Sequence, residues 1–220
     1  MKHLVLYEDF LHLQSVKENI DDYGIVAESL TNEIDKDLKI GIVIATHKIE
    51  NARSNHMDTP SVLRDCLKSI ASQSYKNWKV FLVGDCYEGD EEIIKVMKEC
   101  LGKNYEYHNL SEPGERNKDI SATHKKITGG TVAFNKGIRM AEAASMDIIA
   151  KIDHDDMWKN NHLDCLAKSY TQHPNAAFVF TRAAKKPVGG GTSKRILYYP
   201  NQVSLKEASK DNHFAKPGDT

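Results

Sequence analysis

The sequence predicts an α/β fold with a largely parallel central sheet. Three observations carry that prediction. Short β-branched apolar runs recur at 40–46, 79–85 and 147–152. Segments whose apolar residues fall at helical spacing separate them. Polar clusters sit directly after several of the runs. Strands alternating with helices favour parallel pairing through crossover connections, and ligands of such sheets bind at the carboxyl ends of the strands.

The elements follow in order. Residues 1–37 stand apart, with three lysines, nine acids and helix-like spacing at Phe10, Leu11, Leu13, Val16 and Ile20. They read as an N-terminal helical appendage to a domain over 38–220. The run IGIVIAT at 40–46 is continuously apolar, as expected of a strand buried on both faces. A polar loop over 49–59 leads to Pro60 in the first turn of a helix, where proline is favoured. Val62, Leu63, Cys66, Leu67, Ile70 and Ala71 supply that helix's apolar stripe. A second strand is predicted at 79–85. A helix at 88–101 opens with acids that the helix dipole welcomes, and a third strand follows at 105–108. The polar segment 109–130 is long enough to be a functional loop. Thr131 is the expected N-cap of the helix that follows. A fourth strand is predicted at 147–152, then a helix from Asn160 or Asn161 to about His173, closed by Pro174. A fifth strand is expected at 176–181 and a short one within 195–200. Gly189, Gly190 and Gly191 lack the spacing of a phosphate cradle and read as a mobile loop.

Composition narrows the class. Thirty basic and 31 acidic side chains leave a formal charge of −1, with 40% apolar and 28% charged residues. Bulk disorder is excluded by that balance, and no broad basic footprint for nucleic acid or a membrane surface exists. Cys66, Cys86, Cys100 and Cys165 form no C-x-x-C pair, which argues against a zinc knuckle and suits a reducing compartment. No signal-like apolar core and no run near the ~20 apolar residues of a membrane span is present. A soluble, cytoplasmic protein without a transmembrane segment is expected.

Candidate chemistry lies at the strand ends. Thr46, His47 and Lys48 follow the first strand, Asp85 and Cys86 the second, and Asp153, His154, Asp155 and Asp156 the fourth. Three carboxylates in four residues repel one another unless cations lie among them. A D-x-D spacing puts two on one side of an extended chain, which suits Mn²⁺ or Mg²⁺ shared with substrate phosphates. The competing reading is an acidic surface turn before a helix. His154, alternating with the acids, faces away from them more readily than it ligates a metal. Arg116, Lys118, His124, Lys125 and Lys126 either neutralise phosphates or form a solvated face.

These segments together resemble the inverting family 2 glycosyltransferases. IGIVIATHK is similar to the family's first strand and turn. LRDCLKSIASQSYKNWKVFLVGDCYEGDE resembles its helix ending in Q-S/T-Y, followed by a strand and V-D-D-G-S-T-D. GGTVAFNKGIRMAEAASMDIIAKIDHDDMW resembles its G-x-x-x-A-R-N-x-G helix and L-D-x-D-D. The resemblance spans about residues 39–182. It implies a Rossmann-like GT-A fold, three-layer α/β/α. It also implies a nucleoside-diphosphate sugar donor, UDP-linked first, a hydroxyl acceptor that is a glycan, lipid-linked or protein group, and inversion at the anomeric carbon. Thr46 and Asp85 match positions at the base and ribose, with His47 and His154 beside them in the donor site. Asn135 and Lys136 match positions near the sugar or phosphates. Asp153 matches the first acid of the D-x-D, near the ribose or the metal, and Asp155 the acid that binds the metal, with Mn²⁺ or Mg²⁺ as cofactor.

The chain departs from the pattern in three places. Phe134 replaces the usual arginine, Gly84 the first aspartate of V-D-D, and Ala45 the common proline. Lys136 or the basic loop is the expected substitute for the missing cation. The general base is not identifiable: Glu207, Asp211 and Asp219 form no E-D pair. The chain is therefore expected to continue past Thr220 into an acceptor part. The alternative is a non-catalytic or incomplete nucleotide-sugar-binding module. A haloacid-dehalogenase-type phosphatase and a sugar-1-phosphate nucleotidyltransferase fit the motif positions less well.

Overall fold

A computed structural model describes residues 33–49, 58–114, 121, 129–174, 179, 183–185 and 197–199. Among the described residues ten elements occur in order: β1 (Ile40–Thr46), α1 (Thr59–Ala71), β2 (Trp78–Gly84), α2 (Glu91–Leu101), β3 (Tyr105–Asn109), α3 (Thr131–Ala143), β4 (Ile148–Lys151), α4 (His162–Gln172), β5 (Ala183–Lys185) and β6 (Leu197–Tyr199). β5 and β6 form an antiparallel pair of their own. β6 falls within the short strand expected at 195–200. The helical appendage lies outside the described residues except for 33–37, which are not helical. The expected fifth strand at 176–181 lies outside them except for Val179, which is not in a strand.

The central sheet has the order β3-β2-β1-β4, and every pair in it is parallel. β1 is buried almost throughout, so its apolar run feeds two cores. Ile40, Ile42 and Ile44 face a layer built from α1, α2 and α4, where they meet Leu63, Leu67, Ile93, Met97 and Leu163. Val43 faces the other way, with Phe81, Ile138 and Ala141, under α3. Helices on both faces make this the three-layer α/β/α, Rossmann-like arrangement.

Gly137 lets α3 lie close to the sheet. A β-carbon there would fall well inside contact distance of Val43 Cγ1, so glycine is a packing requirement.

Local capping mostly follows the sequence. Asp58 caps α1 by accepting the Ser61 N–H at 2.8 Å, with proline in the first turn. α3 differs from expectation. Its N-cap is Gly130, at φ +85, and Thr131 is the first helical residue. The cap position is left-handed, which glycine supplies without strain. α2 begins at Glu91 rather than 88, because Gly89 is left-handed at φ +69 and interrupts the turn before it; Asp90 then takes the N-cap position without a side-chain cap.

Candidate functional site

β1, β2 and β3 run in sequence toward one edge of the sheet, and the chain then returns to place β4 on the other side of β1. The strand order thus reverses between β1 and β4. In open α/β sheets the crevice outside the carboxyl ends at such a reversal is the binding place. Thr46 ends β1 there. β4 ends one residue before Ile152, whose N–H reaches the Val43 carbonyl at 3.4 Å, so the acidic turn starts beside the end of β1.

Thr46 is 1% exposed, and its hydroxyl has no hydrogen-bond partner among the described residues. A buried hydroxyl left unmet carries a free-energy cost. Beyond it, the Thr59 hydroxyl accepts the Ile49 N–H at 2.8 Å and donates to the His47 carbonyl at 3.1 Å. One buried side chain from the start of α1 thereby fixes how the loop leaves β1.

His154 is buried while Asp153 and Asp155 are exposed, as the alternation anticipates. Its Nδ1 lies 3.3 Å from the Ala45 carbonyl oxygen, and its ring meets the edge of His47 with centroids 5.0 Å apart. The middle residue of D-x-D therefore pins the turn to β1 and sends both acids outward. Under the turn lies Cys66, whose thiol points at the Asp153 carbonyl at 3.7 Å. Burial first, then the fields of Asp156, Asp155 and Asp153, push that thiol up to about 12, so it is a protonated, inert floor. The Asp156 carboxyl is raised above the ordinary carboxylate range by desolvation and then by Asp153 and Asp155; Lys151 and His154 oppose the rise.

Asp85 follows β2. Its N–H bonds the Thr46 carbonyl at 2.8 Å, and its Oδ1 accepts the Gly114 N–H at 2.6 Å. This carboxylate thus secures the loop after β3 as well as standing at the crevice. Asn135 and Lys136 lie on α3 away from Ala133, Gly137, Ile138 and Ala141, the residues buried against the sheet. The Asn135 Oδ1 is nevertheless buried and lacks a hydrogen-bond partner among the described residues. The structure thus brings Thr46, His47, Asp85, Asp153, His154 and Asp155 to one edge, and sets Asn135 and Lys136 on the outer side of a helix. The basic residues Arg116, Lys118 and His124 to Lys126 lie outside the described residues.

A family model described as glycosyl transferase family 2 matches residues 54–218 of the 220.

The chain belongs to glycosyl transferase family 2.

Its relatives include an uncharacterized glycosyltransferase, R139, of Acanthamoeba polyphaga mimivirus, 29% identical over 154 residues, covering 70% of this chain and 60% of the relative. Another is the putative teichuronic acid biosynthesis glycosyltransferase TuaG of Bacillus subtilis (strain 168), 22% identical, covering 68% and 52%. Among solved structures, S. aureus TarS 1–349 is similar at 16% identity and TM-score 0.45, covering 62% of this chain and 33% of that one. The chain spans between 15% and 60% of the length of the curated relatives it matches.

Two departures from the family 2 pattern have physical causes. At Gly84 a β-carbon would stand 2.6 Å from Asn109 Oδ1 and 2.8 Å from the Tyr107 hydroxyl. Asn109 needs that space, because it accepts the Tyr87 N–H at 2.9 Å and donates to the Tyr87 carbonyl at 2.8 Å, bracing the loop after β2. At Phe134 the ring carries the Lys151 ammonium, 5.7 Å from its centroid.

The Q-S-Y segment of family 2 also acquires a role that sequence reasoning missed. Gln73 is fully buried. Its amide donates to the Ser69 and Lys159 carbonyls at 3.0 and 2.7 Å, and its oxygen accepts the Leu163 N–H at 2.9 Å. The Tyr75 hydroxyl reaches the Leu38 carbonyl at 2.6 Å, fixing the chain before β1. The only sequence signal was the motif itself, since its partners lie far along the chain.

Among the described residues, no group of three or more His, Cys, Asp or Glu converges into a metal cage. Asp153 and Asp155 fit a different demand. A hard ion held through one or two carboxylates completes its shell from substrate phosphates and water. No helix among the described residues is long and apolar enough to cross a membrane, and all four cysteines are free thiols.

Proposed function

We propose that this chain is the donor-binding part of a metal-assisted glycosyltransferase. It takes a nucleoside-diphosphate sugar, UDP-linked by preference, and passes the sugar to a hydroxyl acceptor with inversion. The observation that carries the reading is the D-x-D turn directly after β4, at the strand-order reversal, beside the buried and unpartnered Thr46 hydroxyl. In this reading Thr46 and Asp85 receive the base and ribose, with His47 flanking them. Asp153 and Asp155 would hold Mn²⁺ or Mg²⁺. When bound, such an ion supplies Lewis-acid stabilisation of the departing nucleoside diphosphate. His154 orients the two acids, and Cys66 closes the turn from below without titrating. Asn135 and Lys136 lie on the outer side of α3, and they meet the sugar or phosphates only if the donor extends over that helix.

The reaction joins the acceptor oxygen to the anomeric carbon as the bond from that carbon to the phosphate oxygen breaks. The acceptor proton passes to a general base as that bond forms. A thermal-shift panel of UDP-, GDP- and dTDP-sugars, each with and without Mn²⁺, tests the reading through stabilisation by mass action. The expected result is an upward shift with a UDP-sugar that depends on the metal. No shift with any of the three classes contradicts it.

A further inference from the structure

Lys151 closes β4. Two residues earlier on the same strand, Ile149 packs into the core under α3. Alternation along a strand puts Lys151 on that same face, beyond the reach of the core and beside the first turns of α3. Its ammonium lies 3.2 Å from Asp153 Oδ1 and 5.7 Å from the centre of the Phe134 ring. The cation is held from two sides, by a carboxylate and by the negative face of an aromatic ring.

Both Lys151 and Asp153 are more than half exposed, so their pair is weak and cheaply exchanged. Among the described residues, no other lysine or arginine is ion-paired with the acidic turn. Lys136 or the basic loop was the expected source of positive charge here; the loop's basic residues lie outside the described residues, and Lys136 lies on α3 away from the residues buried against the sheet.

From this geometry we infer that Lys151 is an exchangeable cationic arm of the donor site. Without ligand it holds Asp153. When a metal–nucleoside-diphosphate complex occupies the turn, Asp153 is surrendered to the ion, and the Lys151 ammonium, kept in place by Phe134, pairs with a diphosphate oxygen. The inference rests on the donor-binding reading above. Lys151 is a specificity-determining residue for anionic donors in this account, and Phe134 is its positioning residue.

The test uses the full chain and titration calorimetry, with Mn²⁺ alone and with UDP at saturating Mn²⁺ as probes. Lys151→Met keeps the stem length and removes the charge, whereas Lys151→Arg keeps the charge. The account predicts that Lys151→Met binds Mn²⁺ alone a few-fold more tightly than wild type, because the tethered competitor is gone. It also predicts that the same variant binds UDP with Mn²⁺ roughly ten-fold more weakly, as expected for loss of a charge-assisted contact, and that Lys151→Arg restores most of that affinity. Opposite signs for the two probes are what a solvated, uninvolved lysine cannot produce. Unchanged UDP affinity in Lys151→Met, unchanged Mn²⁺ affinity, or an arginine variant as weak as the methionine one, overturns the inference while leaving the donor reading intact. Wild-type protein that binds no UDP overturns both.

Discussion

The Nδ1 atom of His154 lies 3.3 Å from the carbonyl oxygen of Ala45. Through this contact the acidic turn after β4 is tied to the end of β1, so two strands that part ways in the sequence present their ends as one surface. His154→Ala is expected to lower stability by about 1–3 kcal/mol, from a lost hydrogen bond and a small cavity. It is also expected to weaken Mn²⁺-dependent UDP binding, because Asp153 and Asp155 lose their support. His154→Asn, which keeps a donor, recovers part of both. Urea unfolding and calorimetry read the two effects. A stability loss with unchanged UDP affinity contradicts the positioning role.

Gly137→Ala is predicted to destabilise the fold. The added methyl meets Val43 Cγ1, and overpacking of a tight interface costs about 1–3 kcal/mol. Pairing it with Val43→Ala opens the space, so the double variant is expected to be more stable than the sum of the single losses implies. Additivity in a denaturant cycle is the contrary result.

Gln73→Leu fits the volume but leaves the Leu163 N–H unmet and removes one of two donors to the Lys159 carbonyl, which keeps the His162 N–H at 3.0 Å. Leaving buried polar groups unmet predicts a loss of roughly 2–4 kcal/mol. A loss under half a kilocalorie by urea unfolding contradicts the view of this residue as the clamp between α1 and the start of α4.

His162 stacks on Trp158 with ring centroids 4.2 Å apart, and burial lowers its pKa from 6.5 to about 4. The folded state therefore prefers the neutral ring. Its contribution is fully present above pH 6.5 and is lost as pH falls from there toward 4. The loss reaches up to about 1.4 kcal/mol per pH unit within that window. His162→Gln is expected to flatten this part of the stability-against-pH curve. A variant with the wild-type slope between those pH values assigns the acid sensitivity to other groups.

Much of the fold was legible because β1 and β2 are buried on both faces, and that burial writes continuous apolar runs such as IGIVIAT into the sequence. Pro60 and the acids of α2 marked helix starts for local reasons. The strand ends were legible for the same reason, so Thr46, Asp85 and the Asp153–Asp155 pair were expected at one edge of the sheet, where the structure places them. Contacts that close over long separations were not legible. Gln73 meets Lys159 across 86 residues, and no local pattern announces it. The place of Lys151 depends on β4 pairing with β1 and on Phe134 of α3, neither of which is near it in sequence. Gly130, not Thr131, caps α3, because the cap position is left-handed, a conformation glycine takes without strain.

The central claim is that Asp155 and its neighbour Asp153 take up a nucleoside diphosphate through a divalent ion. The most direct measurement is calorimetric titration of UDP into wild-type and Asp155→Ala protein, each with Mn²⁺ and again with chelator. The account predicts binding by wild type with Mn²⁺, and at least a ten-fold loss both in the variant and under chelation. Equal affinity in all four titrations would contradict it.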